Sequence, residues 1–461
     1  MICLDRISSP QLQKIHSGKV RESFRLDDET RMIVVTDRIS SFDQVLDSCI
    51  PHKGAVLNGL AGYWFEKTTG IVENHLLEQI DPNISLVREA EPVRIEMIVR
   101  GYLTGSMWRY YAKGKRSFSG ISVKDGLQKN QKFPKPLITP TTKEDSDREI
   151  TPDEIVREGW ASREIYEKMT EISLKLFQFG TQLLAEKGII LVDTKYEFGL
   201  RKGKLILIDE IHTPDSSRFW SQADYEKDPE KVEQIDKEFV RQWLLANKKN
   251  DVYPSVLPDE VIAETSRRYL DIYERITGRR IRTSDHILNR VYQNLVRSGI
   301  IKDGFVAIVM GSPADQDHCQ RIREELLKYD VAVEMRVVSA HKNGERIPGI
   351  VSEYNQALEP GAVIAVAGRS NGLGGALAAN LVLPLINCPP FKDKVDMLVN
   401  INSSLMMPSG TPAGTVVEPA AAAQLALRSL NLPRLKNIFL KEISDTKTAL
   451  VNADDKMREG K

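Results

Sequence analysis

Two acidic residues near a predicted β-hairpin have the types and spacing of a divalent-metal site. LVDTKYEFGL is followed by RKG and then KLILIDE, which predicts two strands around a tight turn. If RKG is a three-residue loop with Gly203 in the left-handed region, Lys195 pairs opposite Asp209 and Glu197 opposite Leu207. Glu197 and Asp209 then lie diagonally on one face, close enough to share one Mg²⁺.

Lys195 offers a second interpretation of the same acids. Carboxylates on an apolar hairpin are costly to bury unless a cation compensates them, and Lys195 could be that cation. A metal site and a structural ion pair therefore both remain open. An even hairpin register would put Glu197 and Asp209 on opposite faces and would exclude the metal site.

A glycine followed by two cations opens another predicted hairpin. Gly18 precedes a predicted strand in HSGKVRES, and the two-residue spacing of Lys19 and Arg21 puts both on one face of that strand. Such a hairpin can cover nucleotide phosphates as a lid. A surface hairpin with solvated charges fits the same pattern.

Three loops in the C-terminal third are candidates for binding a phosphorylated ligand. The first, in MGSPAD, ends a strand at Ser312 and begins a helix near Pro313, where free N–H groups favour an anion. The second, SAHK, carries His341, which titrates in the useful range and could move a proton. The third is the glycine-rich AGRSNGLGG. Asp315 is either part of the first loop's site or an acid that favours the helix start.

The elements that would position these residues change in character between about residues 280 and 303. Before that point the chain reads as hairpins and irregular segments with helices, one over roughly Ser162–Lys187 and one ending at Gly278. From Gly304 apolar strands alternate with helices, which predicts a parallel sheet covered on both faces. We therefore predict an α/β protein with a first domain over 1–282, a helical connector over 283–303 and a doubly wound, three-layer domain over 304–461.

Composition limits which classes of binding partner and which cellular compartment the sequence predicts. The 461 residues contain 64 Lys plus Arg and 64 Asp plus Glu, so net charge does not point to nucleic acid. Apolar stretches are no longer than core strands and the N-terminus has no hydrophobic signal region, so neither a membrane span nor secretion is predicted. The cysteines have no CxxC spacing, which argues against zinc and a disulfide framework and favours reduced, mostly buried thiols in a cytoplasm: Cys3, Cys49, Cys319 and Cys388.

Several motifs, in order, resemble the phosphoribosylaminoimidazole-succinocarboxamide synthase family over about residues 10–280. They are GKVRES, TDRISSFD, IPHKG, IVRGYLTGS, LVDTKYEFGL and DEIHTPDSSRFW. The resemblance implies an α+β, ATP-binding ligase domain. It would use ATP and Mg²⁺ to activate a carboxylated imidazole ribonucleotide as an acyl phosphate and join it to L-aspartate. Positioning and charge neutralisation suffice for such chemistry, without a covalent nucleophile.

Matching that family pattern position by position assigns expected roles. Lys143 and Asp147 would bind substrate, in a stretch, TPTTKEDSDREIT, that departs from the family by having no histidine. The other roles implied are ATP binding for Gly18, Lys19, Arg21 and Glu96, Mg²⁺ binding for Glu197 and Asp209, and substrate binding for Arg100, Ser106, Asp215, Arg218 and Arg241.

The C-terminal third resembles the phosphoribosylaminoimidazole carboxylase family, in the class that uses CO₂ directly. MGSPAD, SAHK, AGRSNGLGG, NCPP and SSLMMPSG occur in family order over about residues 304–430. Pro313-Ala314 and Met406 depart from the pattern, which has a polar pair and commonly an arginine there. The resemblance implies His341 as proton carrier, substrate or CO₂ binding by Ser312, Asp315, Ser339 and Lys342, a pocket lined by Ser370, Asn371, Gly372 and Gly374, and a wall of Ser404, Pro408, Ser409 and Gly410.

Together the two resemblances imply a bifunctional enzyme with the ligase first, an order that resembles the animal arrangement. Its partners would be small molecules: aminoimidazole ribonucleotide, CO₂, the carboxylated ribonucleotide and L-aspartate, with no biotin. A homo-oligomer through the C-terminal domain is also implied. Two alternatives stay open. One is a ligase whose C-terminal domain only binds ligand and assembles, and the other is a kinase-like phosphotransferase suggested by the glycine hairpin and the acidic pair alone.

Overall fold

Two compact units make up the chain in the computed structural model, which describes residues 3–42, 44–144, 147–232, 237–282 and 286–460. One unit comprises Met1–Arg6 and Lys14–Val291, and the other comprises Ile7–Gln13 and Tyr292–Lys461. The division falls inside a helix within the predicted connector. The first residues of that connector, Thr283, Ser284 and Asp285, lie outside the described residues.

The N-terminal unit consists of antiparallel sheets and helices. Its strands are β1 (Gln13–Ser17), β2 (Arg21–Arg25), β3 (Thr30–Val35), β4 (Arg38–Ser41), β5 (Gln44–Cys49), β6 (Leu76–Asp81), β7 (Ile84–Arg88), β8 (Glu91–Tyr102), β9 (Ser117–Phe118), β10 (Ile121–Ser122), β11 (Lys132–Ile138), β12 (Thr141–Thr142), β13 (Ile189–Arg201), β14 (Lys204–Ile208) and β15 (Ser217–Ser221). Its helices are α1 (Lys53–Lys67), α2 (Gly105–Ala112), α3 (Pro152–Arg157), α4 (Arg163–Ala185), α5 (Gln222–Lys227), α6 (Glu238–Ala246) and α7 (Asp259–Thr277), followed by α8 (Ile287–Arg297) across the division. One sheet has the order β1-β2-β3-β7-β6, and the other has the order β11-β8-β13-β14, with β12 beside β8 and β15 beside β13.

Alternation along β8 and β13 gives the second sheet an apolar face and a charged face. Met97 on β8 and Tyr196 on β13 pair with each other and are fully buried in the main core. That core includes the apolar stripe of α4, whose predicted position is confirmed. The side chains between the core positions point to the opposite face, since successive residues of a strand alternate. They are Glu96, Arg100, Asp193, Lys195 and Glu197.

The hairpin between β13 and β14 has a different register from the predicted one. Glu197 pairs with Ile208, so the loop contains two residues, Lys202 and Gly203. Both have positive φ angles, 50° and 78°, as a two-residue hairpin turn requires. The prediction of a three-residue loop is therefore wrong, because Lys202 tolerates the left-handed region that was assigned to glycine alone.

Asp209 leaves the strand alternation that this register would impose on it. By alternation alone, Glu197 and Asp209 would face opposite sides of the hairpin. β14 ends at Ile208, however, and Asp209 has a φ of 66°, which redirects its side chain. The two acids are therefore not separated, although an even register was expected to separate them.

A disulfide joins Cys3 to Cys49, which contradicts the prediction of reduced thiols for these two residues. Their Cα atoms are 6.4 Å apart although 46 residues separate them in the sequence. The backbone N–H of Leu4 donates to Asp37 at 2.8 Å and so holds the N-terminal segment in this region. Spacing along the chain cannot reveal such a pair. The other two cysteines, Cys319 and Cys388, are free and buried, as predicted.

The C-terminal unit is a five-stranded parallel sheet with helices on both faces. Its strands are β16 (Phe305–Met310), β17 (Ala332–Val337), β18 (Gly361–Val366), β19 (Leu385–Asn387) and β20 (Gly414–Thr415). Its helices are α9 (Gln316–Leu326), α10 (Ile347–Asn355), α11 (Gly372–Ala378), α12 (Lys394–Leu405), α13 (Pro419–Ser429) and α14 (Pro433–Arg458). The strand order is β17-β16-β18-β19-β20.

Burial in this sheet confirms the doubly wound architecture. β16 and β18 are buried along their whole length, because an apolar cluster covers each face of the sheet. β20 was not predicted, since two residues give no periodic signal. Among the described residues, no helix combines the length and apolar character that a membrane span needs.

Candidate active sites

Two arginines share one carboxylate on the charged face of the N-terminal unit. Arg100 on β8, Asp193 on β13 and Arg218 on β15 are brought together because the three strands are neighbours. Arg218 donates to Asp193 at 2.6 Å, and Arg100 lies 3.6 Å from the same carboxylate. Burial lowers the pKa of Arg100, and Asp193 opposes that effect. Two guanidinium groups that lie close together are an arrangement of donors that suits an anionic ligand.

Gly105 makes room for Arg218 beside the start of α2. Gly105 has a φ of 58°, and a Cβ at this position would lie 2.7 Å from Cζ of Arg218. A larger residue would therefore have to displace the guanidinium group. Ser106 follows in the first turn of α2 and is half-buried. The RGYLTGS motif thus places a hydroxyl one residue away from the contact with Arg218.

A row of alternating charges continues along the same face. Lys195 lies 2.7 Å from Glu96 and 3.5 Å from Glu197, so the ion-pair interpretation of Lys195 is confirmed. Lys143 donates a further hydrogen bond to Glu197. Burial raises the pKa of Glu197, and the nearby carboxylate of Asp209 raises it further. Asp209 is therefore close enough to Glu197 to act on it.

Arg21 neutralises the acids that follow β14. It forms ion pairs with Asp209 and, at 2.6 Å, with Glu210, to which Thr213 also donates. Burial alone would lower the pKa of Arg21, but Asp209 and Glu210 raise it above its ordinary value. Burial alone has the opposite effect on the acid and would raise the pKa of Asp209, but Arg21 and Lys195 lower that pKa to about 2. Both partners are therefore charged.

In the structure, Arg21 and Lys19 of the predicted lid do not lie on the same strand. β2 begins at Arg21, so Lys19 lies exposed in the turn before it, and the prediction of both cations on one strand is wrong. Gly18 closes this turn by donating its N–H to the carbonyl of Arg21 at 2.8 Å. The carbonyl of Gly18 accepts a hydrogen bond from Arg38 at 3.2 Å. The hairpin of β2 and β3 itself is confirmed, with Arg21 opposite Val35.

The donor set around Glu197 and Asp209 fits Mg²⁺ despite the changed register. Mg²⁺ takes oxygen ligands and usually binds through one or two carboxylates, with phosphate oxygens and water completing the shell. No described group of three His, Cys, Asp or Glu residues could hold a metal by itself, so a phosphate would have to contribute. Acids outnumber cations in this cluster, which consists of Glu96, Glu197, Asp209 and Glu210 with Arg21, Lys143 and Lys195.

A second buried cluster surrounds Asp215. Lys53 is fully buried and lies 2.8 Å from one oxygen of Asp215, while the hydroxyl of Tyr269 donates to the other oxygen at 2.8 Å. Lys237 lies 3.8 Å from the oxygen that Lys53 contacts. Burial would raise the pKa of Asp215, but Lys237 and Lys53 lower it below its ordinary value. Arg241 lies one turn further along α6, 3.5 Å from Glu238.

Several charged residues of the N-terminal site were not predicted as site residues. Asp193 stands two residues before Lys195, so the alternation in LVDTKYEFGL already indicated it. Lys53 occurs in the quoted IPHKG motif, but a single lysine in a motif gives no sign that it will be buried. Glu210 and Lys237 gave no signal of their own. Asp147, which was predicted, is exposed on the segment after Lys143.

In the C-terminal unit a cleft of about 660 Å³ opens at the carboxyl ends of the parallel strands. The predicted convergence of three loops is confirmed, because residues that follow β16, β17 and β18 all line this cleft. Burial raises the pKa of Asp315. The predicted residues in the lining are Ser312, Asp315, Ser339, His341, Lys342 and Ser370.

The glycine-rich loop supports His341 from behind. A Cβ on Gly372 would lie 2.9 Å from Cε1 of His341, so the loop approaches the imidazole closely only because this residue is glycine. Asn371 accepts a hydrogen bond from the N–H of Gly374 at 2.9 Å and donates to Ser404 at 3.0 Å. Asn371 and Ser404 are buried and fix the loop in place.

The predicted wall after Ser404 does not join the cleft in the chain that the structure describes. Pro408, Ser409 and Gly410 are exposed and lie outside its lining. A histidine that was not predicted lies in the lining instead. His318 is 3.2 Å from Sγ of Cys388 and accepts from Arg321 at 3.1 Å, and burial, followed by Arg321, lowers its pKa to about 4. Arg369 and Lys392 also line the cleft.

Comparison with known protein families gives two successive matches. The family model described as SAICAR synthetase matches residues 14–268, and the model described as AIR carboxylase matches residues 305–448. The first match covers more than half of the chain. It contains the charged face of the second sheet, and the second match contains the cleft.

Individual proteins are similar to one or the other part of this chain. The phosphoribosylaminoimidazole-succinocarboxamide synthase of Legionella pneumophila (strain Paris) is 45% identical over 291 residues, which are 60% of this chain and 91% of the relative. The structure of SAICAR-synthase from Saccharomyces cerevisiae complexed with SAICAR is 34% identical with a TM-score of 0.55, covering 61% of this chain and 100% of that chain. The structure of Treponema denticola PurE is 33% identical with a TM-score of 0.31, covering 33% of this chain and 98% of that chain.

Proposed function

The chain belongs to the SAICAR synthetase family and carries an AIR carboxylase domain after it, and we propose on that premise that it catalyses two consecutive steps of purine nucleotide synthesis. The C-terminal unit would carboxylate aminoimidazole ribonucleotide with CO₂. The N-terminal unit would then use ATP to couple the product to L-aspartate, giving SAICAR. The presence of both domains in one chain carries this proposal, because the first reaction makes the substrate of the second.

The ligase step would depend on charge that the N-terminal unit holds in place. Arg21 would neutralise ATP phosphates, with Gly18 closing the turn that positions it and Lys19 approaching from outside. Arg100 and Arg218 would hold the phosphate and carboxylate region of the ribonucleotide, since their guanidinium groups lie together beside Asp193. The yeast relative was solved with SAICAR, which supports binding of this ribonucleotide by the corresponding unit.

Glu197 and Asp209 would hold Mg²⁺, which when bound neutralises charge on the transferred phosphoryl group. Lys143 and Lys195 would limit the repulsion between those carboxylates and the phosphates, because both lysines interact with the acids. ATP phosphorylates the ribonucleotide carboxylate, and the acyl phosphate then reacts with the amine of L-aspartate. Such a site acts by orienting its reactants and stabilising charge.

The carboxylation step would take place in the cleft. Carbon 4 of the imidazole would form a bond to CO₂, and His341 would accept the proton that leaves this carbon. Lys342 and the hydroxyls of Ser312 and Ser339 would orient the carboxylate and the phosphate. Close approach of Gly372 to His341 supports this role, because it limits where the imidazole can lie.

The remaining expectations are part of the same proposal. A homo-oligomer through the C-terminal unit is supported by exposed apolar side chains on α12 and α14, including Leu398, Val399, Leu440 and Leu450. A cytoplasmic location and independence from biotin stay predictions. The partners proposed are the small-molecule substrates alone, without nucleic acid or membrane.

The test is to incubate the purified protein with aminoimidazole ribonucleotide, bicarbonate, L-aspartate and Mg-ATP and to identify products by mass spectrometry. SAICAR is the expected product. Omitting ATP should stop the reaction at the carboxylated ribonucleotide. Failure to make SAICAR even from supplied carboxylated ribonucleotide would contradict the proposed ligase.

A second candidate keeps the ligase and makes the C-terminal unit a silent assembly and ligand-binding domain. The observation that favours it is the exposure of Met406 and of Pro408–Gly410, which lie outside the cleft, together with Pro313-Ala314 in its first loop. It predicts SAICAR from the carboxylated ribonucleotide but not from aminoimidazole ribonucleotide. Carboxylation in the absence of ATP would exclude it.

A further inference from the structure

We infer that Lys237 is the base that removes a proton from the α-ammonium group of L-aspartate before the amide bond forms. The inference rests on the proposed ligase function and adds a catalytic residue to it. A base is needed because an ammonium group has no lone pair with which to attack an acyl phosphate.

Two lysines compete for one carboxylate at this position. Lys53 lies within hydrogen-bond distance of Asp215, at 2.8 Å, whereas Lys237 lies at 3.8 Å from the same oxygen. Tyr269 donates to the other oxygen of Asp215. Asp215 can compensate one ammonium charge, and Lys53, which is completely buried, holds the closer position. Lys237 is therefore the lysine that can lose its proton at the smaller electrostatic cost.

The surroundings of Lys237 favour its neutral form. Burial lowers the pKa of Lys237 to about 8, and Lys53 and Arg241 act in the same direction, while Asp215 and Glu210 oppose them. A general base works best when its pKa is close to the working pH, because it is then partly deprotonated and still basic. Only 13% of the Lys237 side chain is exposed, so bulk water has limited access to the amine.

A cation close to Lys237 suits a carboxylate of the proposed substrate. L-aspartate carries two carboxylates on either side of its ammonium group. Arg241 lies one helical turn beyond Lys237, whereas Lys53 is fully buried against the same oxygen of Asp215 that Lys237 approaches. A neutral amine at Lys237 can therefore receive a proton while Arg241 holds a carboxylate of the substrate.

The step balances without another reactant. The ammonium group gives one proton to Nζ of Lys237, and the freed lone pair forms the C–N bond at the acyl carbon. The bond from that carbon to the phosphate oxygen breaks, and the second proton lost by the nitrogen leaves with the phosphate. Lys237 then returns its proton to water.

The test compares Lys237→Gln with Lys237→Arg in the full chain, supplied with carboxylated ribonucleotide and Mg-ATP. Arginine keeps the positive charge but cannot act as a base, so it separates charge from proton transfer. Each variant is assayed with L-aspartate over a range of pH. Each is also assayed with hydroxylamine, which is uncharged at neutral pH and needs no base.

We expect both variants to lose coupling to L-aspartate at neutral pH by about a hundredfold or more. Activity should recover as the pH rises and aspartate deprotonates in solution, and hydroxamate formation should stay near that of the wild type. The kcat of the wild type should fall as the pH decreases below about 8.

Three outcomes would overturn the inference. Full coupling by either variant at neutral pH is one, since retention by the arginine form would mean that only charge matters. Loss of hydroxamate formation in both would assign Lys237 to activation of the carboxylate. A wild type that makes neither SAICAR nor hydroxamate would instead refute the proposed function itself.

Discussion

The two sites differ in what holds their side chains. In the N-terminal unit, carboxylates and cations on neighbouring strands hold one another; Lys53 and Glu197 are buried, and only 8% of the Asp215 side chain is exposed. In the C-terminal unit, His341 and Lys342 are exposed at the ends of strands, and the loops behind them are fixed by Asn371 and by close glycine contacts. A residue of the first site is thus also part of the fold, whereas a residue of the second can change with little cost to stability.

The largest effect that we predict from this difference between the two sites is a loss of stability on replacing Asp215. Asp215→Asn leaves Lys53 buried without its charge partner, which should reduce the free energy of unfolding by about 3–5 kcal/mol. Urea denaturation followed by tryptophan fluorescence measures this, because all five tryptophans belong to the N-terminal unit: Trp64, Trp108, Trp160, Trp220 and Trp243.

The matched variant for the other site is His341→Asn. Because this side chain is exposed, its replacement should change stability by no more than about 0.5 kcal/mol. That is measured for the C-terminal unit by circular dichroism. A similar loss of stability in both variants would show that the two sites are not built differently.

The second prediction sharpens the comparison through activity. Glu197→Gln should reduce ligation by about a hundredfold or more, because it removes a charge that the proposed metal needs. His341→Asn should reduce carboxylation to a similar extent. Each variant should keep the other activity, measured by supplying the carboxylated ribonucleotide or by omitting ATP. Loss of both activities in one folded variant would contradict the assignment of two separate sites.

The third prediction uses pH to probe burial in the N-terminal unit. Burial lowers the pKa of His212 to about 3, whereas the unfolded chain protonates this residue near pH 6.5. The unfolded state therefore binds a proton that the folded state does not, so stability is lost as the pH falls below about 6.5. Between pH 7 and pH 5 this amounts to about 2 kcal/mol.

His212→Gln tests it, since glutamine does not titrate. The variant should lose about 2 kcal/mol less than the wild type over that interval in urea denaturation. The difference between the two proteins is the quantity to compare, because the raised pKa values of Glu197 and Glu210 act in the opposite direction. Identical pH dependence in both would mean that His212 is not buried in its neutral form.

The smallest predicted effect compares one glycine from each site. Gly105→Ala places a Cβ against Arg218 at a φ of 58°, which should cost about 1–2 kcal/mol of stability and raise the KM for the ribonucleotide. Gly372→Ala meets the exposed imidazole of His341 without a positive φ, so it should lower carboxylation with little change in stability. Steady-state kinetics and thermal denaturation of both variants measure this. Equal loss of stability in the two would remove the distinction.

The sequence predicted the fold well where periodic patterns were long. The parallel sheet, α4 and the hairpin of β2 and β3 follow from such patterns, and the charged residues of LVDTKYEFGL lie where alternation predicts. The register of the next hairpin was wrong because a lysine occupies a left-handed position in its loop. Asp209 nevertheless approaches Glu197, through a backbone angle that no pattern indicates.

What the sequence could not predict depends on contacts between distant segments. Lys53 and Tyr269 meet at Asp215 from α1 and α7, and nothing local to either residue indicates that meeting. The same reason accounts for the disulfide of Cys3 with Cys49. Family resemblance assigned expected roles to many residues, but it did not say that Pro408–Gly410 would lie outside the cleft of a single chain.

The short segment Ile7–Gln13 matters for expressing the C-terminal unit by itself. It belongs to the C-terminal unit, where Ser9 donates to the buried Glu359 at 2.6 Å and Gln11 donates to the same carboxylate. A clone that starts at Tyr292 therefore encodes an incomplete unit, in which Glu359 lacks the hydrogen bonds from Ser9 and Gln11. Expression plasmids for the carboxylase half should supply those N-terminal residues as a separate peptide or as a fused leader.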